Sequence, residues 1–414
     1  MPKEDAREFE LQSLQETRKQ VTDVYGNRTL VSGSAVEKFT VIPTGIFIMD
    51  MALLGGVCES TGNCFFGWES SSKTTNCLRV AGQAQKKYPT KKVGWIDLDP
   101  MGFQQEWAMA QGCDPARVEI ARPEHGEAAV DLADVLARTS DICMIITDGI
   151  AGFTSYKYLD ESADRDQVSY IAKNVGKYCS KMRIAMSERS KLRNKLTILS
   201  TNQWRYKMVL MGDNRTLPGG TQSNFFHQVM LEFTAKPFNT AKPSDKSPAL
   251  VDAYEGTFKT KKVKGASGIR EGSYTMITDP AHKLGYGAVD EAETIAAWAR
   301  KTGVIEGRGN KLVVPLYEEL NFTSVADLIV RIREDDDFNL FMQQATVSKW
   351  RATKGLSPFP EDNYLSGATK HKYLGGSGFA TVAKTISPPP PVVVNSPAAP
   401  VKRVPLKLPI KRPS

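Results

Sequence analysis

Gly67-Trp68-Glu69-Ser70-Ser71-Ser72-Lys73-Thr74-Thr75 decides the reading of this 414-residue chain. An apolar run, Cys64-Phe65-Phe66, leads into it, and an amphipathic stretch over 74–87 leads out. A phosphate-binding loop needs that strand–loop–helix setting. Backbone N–H groups at a helix N-terminus point at the anion, and the helix dipole favours it. In this frame Lys73 reaches the β- and γ-phosphates of ATP and the Thr74 hydroxyl holds Mg²⁺. All nine residues are candidate ATP-binding positions. Ser72 departs from the pattern, because a glycine normally precedes the lysine.

Outward from the loop, β-rich runs at 63–66, 93–98, 118–121, 142–147, 196–200 and 228–233 alternate with helical patterns at 74–87, 103–111, 127–138 and 168–191. On the last of these Val168, Ile171, Val175, Met182 and Met186 recur at helical spacing and predict one buried stripe. Such alternation predicts an α/β core: a mainly parallel sheet covered by helices, with ligands beyond the carboxyl ends of the strands. A smaller α+β lobe follows, with helices at 291–301, 323–333 and 338–345 and a strand at 311–316. The expected divisions are an N-terminal helical segment (1–40), the core (41–278), the lobe (279–352) and a linker with tail (353–414).

The strand ends carry polar groups. Asp148 closes the apolar run Ile142-Cys143-Met144-Ile145-Ile146-Thr147, beside the loop, where a carboxylate orients Mg²⁺ through water. Asp97 and Asp99 end another strand. Residues two apart share a face, so one of them can activate the attacking water. A third strand ends in Asn202-Gln203, and an amide there can touch both a γ-phosphate and whatever lies beyond it. What lies beyond is Trp204-Arg205-Tyr206-Lys207-Met208-Val209-Leu210-Met211-Gly212, then a polar stretch to Pro218-Gly219-Gly220. Cations for phosphates, with rings and methionines for bases, suit single-stranded nucleic acid.

Composition excludes other classes. No apolar run approaches the ~18 residues of a membrane span, and the charged opening MPKEDAREFELQ is not a secretory signal. The six cysteines form no CxxC pair and the histidines number four, so a structural zinc site is not expected and a reduced cytoplasmic setting is. The net charge of +8 is carried by eight basic residues beyond Asp362, a stretch without a single acid. Residues 387–414 hold nine of the 23 prolines and predict an extended, disordered cationic tail, either a solubilising appendage or an arm that tracks phosphates. Residues 2–25 read as a charged helix with a thin apolar stripe, which needs a partner surface.

Residues 41–234, and more faintly the chain to about 350, resemble the bacterial RecA recombinases. PTGIFIMDMALLGGV is similar to the family's segment before the phosphate loop, GWESSSKTT to the loop, WIDLDP to its catalytic strand end and IITDGIAGF to its Mg²⁺ strand. STNQWRYKMVLMGDNRTLPGG is similar to the sensor glutamine and the second DNA-binding loop. The resemblance implies a DNA-dependent ATPase that polymerises on single-stranded DNA and exchanges strands with homologous duplex. It implies that Lys73 and Thr74 bind phosphate and Mg²⁺, Asp148 is the Mg²⁺-side aspartate and Gln203 senses the γ-phosphate. Asp99 then takes the place of a catalytic glutamate and Trp107 that of an adenine-stacking aromatic. Residues 152–166 become the first DNA-binding loop, and Lys262 and Lys264 reach the ATP of an adjacent subunit. The N-terminal helix docks on a neighbour, the lobe gathers duplex DNA, and loader or single-strand-binding proteins join as partners.

Several positions depart from the family. Asp99 is shorter than glutamate, Ser72 replaces a glycine, Gly149 follows Asp148 where the family has a hydroxyl, and the tail is basic rather than acidic. These departures imply a divergent, bacteriophage-encoded branch whose hydrolysis is in question more than its nucleotide binding. A helicase-like motor of the same core and a DNA-coating protein with decayed ATPase are the rival readings.

Overall fold

The computed structural model describes residues 13–26, 29–35, 40–99, 102–159, 168–206, 214–238, 251–263, 267–308, 311–315 and 317–356. Lys207, Met208, Met211, Lys264, residues 160–166 of the expected first DNA loop and the basic tail lie outside them.

Helix α1 (Leu14–Tyr25) opens on a capping box. Ser13 Oγ accepts from the Glu16 N–H, and the Glu16 carboxylate accepts from the Ser13 N–H at 2.8 Å. It buries none of its residues, and Leu14 is 61% exposed. A short antiparallel pair, β1 (Val41–Ile42) and β2 (Val57–Cys58), brackets α2 (Phe47–Ala52). Then come β3 (Gly62–Gly67), α3 (Lys73–Lys87), β4 (Lys92–Asp97), α4 (Gln105–Ala110) and β5 (Val118–Ala121). They are followed by α5 (Gly126–Arg138), β6 (Ile142–Asp148), α6 (Val168–Lys191) and β7 (Thr197–Gln203). A small ribbon, β8 (Arg205–Tyr206) with β9 (Arg215–Thr216), precedes α7 (Gly220–Phe226). The strands β10 (His227–Phe238), β11 (Ala253–Val263), β12 (Glu271–Ile277) and β13 (Val289–Asp290) complete the core.

The central nine-stranded sheet runs β13-β12-β11-β10-β3-β7-β6-β4-β5. It is parallel from β10 to β5 and antiparallel across β10–β13. Every residue of β3 and β6 is buried, as expected where helices cover both faces. On one face Phe65, Trp95, Phe233 and Phe258 meet Leu78, Val80 and Ala81 of α3. On the other, Ile96, Ile145 and Ile198 meet α5 and the stripe Ile171, Val175, Tyr178 and Met182 of α6. Gly82 interrupts α3 because a Cβ there would lie 2.4 Å from the Gly112 carbonyl oxygen.

The lobe consists of α8 (Ala292–Lys301), β14 (Glu306–Arg308), β15 (Lys311–Val314), β16 (Tyr317–Phe322), α9 (Val325–Glu334) and α10 (Asp336–Ala352). Its core of Ile295, Leu312, Leu328, Phe338, Phe341 and Met342 takes in Val41, Phe47 and Met51 from around α2. Glu291 accepts from the N–H groups of Phe47 (2.6 Å) and Ile48 (3.0 Å). Trp350 Nε1 donates to the Met51 carbonyl at 3.0 Å, and Arg351 to that of Leu54. Among the described residues no helix is long and apolar enough to cross a membrane, and all six cysteines are buried without a disulfide.

Candidate nucleotide and nucleic-acid site

The loop 67–72 turns from β3 into α3. At Gly67 a Cβ would lie 2.4 Å from the Phe233 carbonyl oxygen, so only glycine lets β3 leave the sheet there. Ser70 and Ser72 are both left-handed, at φ +54° and +67°. For serine this costs about 1–2 kcal/mol, and the Ser72 hydroxyl is engaged beneath the loop. It bonds to the Ser71 carbonyl (2.5 Å) and the Tyr274 hydroxyl (3.2 Å), while Asn76 Nδ2 donates to Tyr274 at 2.8 Å. The side chain at the glycine position is thereby turned toward β12. Lys73 Nζ donates to the Trp68 carbonyl (2.5 Å) and Ser71 Oγ (3.1 Å). Burial lowers its pKa, and the Asp148 charge opposes that shift. Beside the loop lies a cavity of about 510 Å³, lined by residues 70–75 and by Lys236, Tyr254 and Thr278 among others.

Asp148, at the end of β6, is buried with both carboxylate oxygens engaged. Thr74 Oγ1 donates to one at 2.7 Å and Thr201 Oγ1 to the other at 2.5 Å. Burial raises its pKa, and the two hydroxyls and Lys73 counter this. A Cβ on Gly149 would lie 2.5 Å from Thr201 Oγ1. Glycine at 149 thus makes room for the Thr201 hydroxyl on Asp148. Thr201 went unnoticed in the sequence, although it lies two residues before Gln203 on the same strand face. Hard oxygen donors of this kind fit Mg²⁺, which binds few protein ligands and keeps its waters.

The shared face expected for Asp97 and Asp99 does not extend to both, because β4 ends at Asp97. Asp97 is buried, level with Asp148 in the sheet, and accepts from Arg122 Nε at 3.1 Å. Its pKa is raised by burial and lowered in part by Arg122. Asp99 lies past the strand and is exposed, yet its charge is felt by both Asp97 and Asp148.

Gln203 ends β7 level with Gly67, and the Trp204 N–H donates to the Gly67 carbonyl at 3.3 Å. Trp204 itself is a correction to the sequence reading. Only 7% exposed, it packs with Phe66 and Met230 and donates from Nε1 to Glu232 at 2.9 Å, so it anchors the loop and does not present its ring. Lys261, unforeseen in the sequence, and Arg215, within the expected second DNA loop but not singled out there, stand 4.8 and 5.1 Å from its ring. Tyr206 is 70% exposed, and Arg205 donates to the Ala151 carbonyl at 2.9 Å. Asn202 Nδ2 reaches the Pro218 carbonyl at 2.9 Å, closing the loop at its far end. There Gly219 takes φ +101° against Val175 and the exposed Gly220 begins α7. Trp107 Nε1 donates to Thr75 Oγ1 at 3.0 Å and its ring meets Tyr286, which brings it to the first turn of α3. Lys262 sits four residues along β11 from Phe258, itself level with Phe233 and hence with Gly67. It donates to the Asn224 carbonyl at 2.6 Å, at the end of the sheet away from its own phosphate loop.

Glu127 clamps the approach to the first expected DNA loop, accepting from Ser155 Oγ (2.6 Å) and the Tyr156 N–H (3.2 Å). Burial pushes its pKa up, but these bonds and others outweigh it and bring it to about 2. A depressed folded-state pKa contributes stability above the ordinary glutamate range, lost as pH falls toward about 2. Glu127→Gln should therefore be less stable than wild type at pH 7, and urea titrations of the two should converge near pH 2–3. A gap that persists undiminished in acid would contradict the clamp.

The RecA N-terminal domain model matches residues 12–274. The chain belongs to the RecA family. Protein RecA of Nautilia profundicola is 28% identical over 239 residues, 56% of this chain and 65% of the relative. Protein RecA of Fusobacterium nucleatum is 33% identical over 210 residues, 49% and 52% of the two chains. Protein RecA of Acholeplasma laidlawii is 32% identical over 225 residues, 53% and 66%. The match thus spans about half to two thirds of these RecA proteins' length, and the identities mark a divergent member. The 12–274 stretch matched by the RecA N-terminal domain contains the phosphate loop, the strand ends and the Gln203–Gly220 segment.

Proposed function

We propose that this RecA-family chain is an ATP-dependent DNA recombinase that forms filaments on single-stranded DNA and promotes homologous pairing and strand exchange. The observation that carries the reading is the register of β3 with β7. It sets Gln203 level with Gly67 and ties the backbone of the cationic, aromatic loop directly to that of the phosphate loop. A phosphate bound at 67–74 and a nucleic acid bound beyond Gln203 then share one structural hinge, an order–disorder switch of the kind phosphate-sensing loops use.

In this reading Lys73 and the loop N–H groups hold the phosphates, with Trp107 and Lys262 as further nucleotide contacts, the latter toward a neighbouring copy. Thr74 and Asp148 would hold Mg²⁺, which when bound neutralises charge on the transferred phosphoryl group. Asp99 accepts the proton of the attacking water. Arg205 and Tyr206, with Lys207, Met208 and Met211 of the loop, contact single-stranded DNA. Helix α1, none of whose residues is buried, docks on the next subunit, the lobe over 279–352 meets duplex DNA, and a cytoplasmic setting completes the picture. A coating protein without turnover is the alternative that the strained Ser72 and the exposed Asp99 favour. Phosphate release measured with and without single-stranded DNA, beside a D-loop assay, separates them. DNA-stimulated hydrolysis with pairing is expected, and DNA binding without hydrolysis would leave only the coating role.

Asp148→Asn should raise the Mg²⁺ concentration needed for half-maximal nucleotide binding by roughly 10–100-fold, the usual loss when an outer-sphere partner of a metal is removed. The fold should survive, since both threonine hydroxyls can rotate to suit the amide. An unchanged Mg²⁺ titration would place the metal elsewhere.

A further inference from the structure

Trp68 belongs to the phosphate loop by its backbone and to another surface by its ring. Its carbonyl accepts from Lys73 Nζ (2.5 Å) and Ser71 Oγ (2.7 Å). Its indole, half-buried, packs beside the cluster of Phe66, Trp204 and Met230. It meets the Tyr206 ring with centroids 4.9 Å apart and planes tilted by 37°, between the offset-stacked and edge-to-face arrangements and within the contact range of aromatic pairs. Tyr206 stands on a two-residue strand and is 70% exposed. An exposed ring in such a place samples several rotamers unless something large backs it. Arg215, opposite Tyr206 across the ribbon, and Lys261 lie 5.1 and 4.8 Å from the neighbouring Trp204 ring. A ring held with one face open, beside cations, is what stacking of an unpaired base requires.

We propose that Trp68 is a positioning residue of a base-stacking platform for single-stranded nucleic acid. It holds Tyr206 for an unpaired base, with Arg215 and Lys261 as the adjoining phosphate contacts. The assignment rests on the DNA reading above and extends it to Trp68 and Lys261, outside the Gln203–Gly220 segment, and gives Arg215 within that segment a stated role. It also adds a second link between the two ligands, besides Gln203. A phosphate that draws Lys73 toward itself competes with the Trp68 carbonyl, so the residue that loses the lysine is the one that supports the platform. Such a link is reciprocal: nucleotide should tighten DNA as much as DNA tightens nucleotide.

Fluorescence anisotropy with a labelled oligo(dT), with and without ATPγS, tests this on the full chain. Tyr206→Ala should weaken binding about tenfold, the loss of roughly one stacked base. Trp68→Ala should weaken it by a similar factor, and the double variant by no more than either alone, because both remove one platform. Trp68→Phe should restore most of the affinity, and the ATPγS-induced tightening should shrink in Trp68→Ala. If that variant fails to fold, Trp68→Leu, which keeps bulk without a stacking plane, takes its place. Wild-type-like affinity in Trp68→Ala, or in Trp68→Leu where it stands in, beside a weakened Tyr206→Ala overturns the positioning role and leaves the DNA reading standing. Losses that multiply in the double variant do the same. A wild-type chain that does not bind oligo(dT) sinks the DNA reading and the platform with it.

Discussion

Lys73→Ala is expected to lower ATP turnover by about a thousandfold, the upper range for removing one preorganised charge from a developing anion. Lys73 is largely withdrawn from solvent, and its ammonium is held within the loop by the Trp68 carbonyl and Ser71 Oγ. A charge kept dry and close is worth far more than one in water. The fold should tolerate the change. The helix that follows is packed through Cys77, Leu78, Val80 and Ala81, not through Lys73, and a buried ammonium that burial already disfavours is no great loss. Turnover within tenfold of wild type, with an unaltered melting temperature, would show that the loop does not serve a nucleotide.

Asp99→Asn should remove at least about 100-fold of the turnover, the lower end of what a positioned general base supplies. Asp99→Glu should match or exceed wild type. Aspartate stops about 1.5 Å short of where a glutamate carboxylate would lie, and glutamate restores the reach from an exposed position beyond β4. Asp97 is the control. It is buried and paired with Arg122, so its loss should show first in stability. Should Asp99→Asn hydrolyse ATP normally while Asp97→Asn folds and does not, the base is Asp97.

The parallel half of the core was legible because its central strands β3 and β6 are buried on both faces and read as plain apolar runs between helical patterns, while the edge strand β5, though largely exposed, is framed by helical patterns on either side. The expected ends at 63–66, 118–121 and 142–147 fall within a residue or so of β3, β5 and β6. The antiparallel half was not. In β11, Lys259 and Lys261 present charge to solvent, Thr260 and Lys262 are only partly covered, and the strand buries little beyond Ala253, Gly256 and Phe258, so the stretch reads as surface. The candidate site divides the same way. Lys73, Thr74, Asp148 and Gln203 announce themselves at strand ends, because parallel topology delivers every such end to one edge. Tyr274 and Lys261 reach the loop region from strands far along the chain, and nothing local marks them. Trp204 misled because an aromatic among cations looks like a ligand contact until its packing partners, Phe66 and Met230, are known.

The grip of the lobe on α2 bears on how this protein can be taken apart. Val41, Phe47 and Met51 are the lobe's own core as much as Phe341 and Met342 are, so the boundary drawn along the chain is not a boundary in space. A fragment beginning at residue 279 would carry an open apolar scar where α2 belongs, and the remainder would keep a helix with its N-terminal N–H groups robbed of Glu291. Heating should therefore give one calorimetric transition for both. A nick in the turns at 279–288 should leave two pieces that still elute together. In exchanges of segments between relatives, the lobe and residues 41–54 form a single heritable unit: grafting one without the other breaks both.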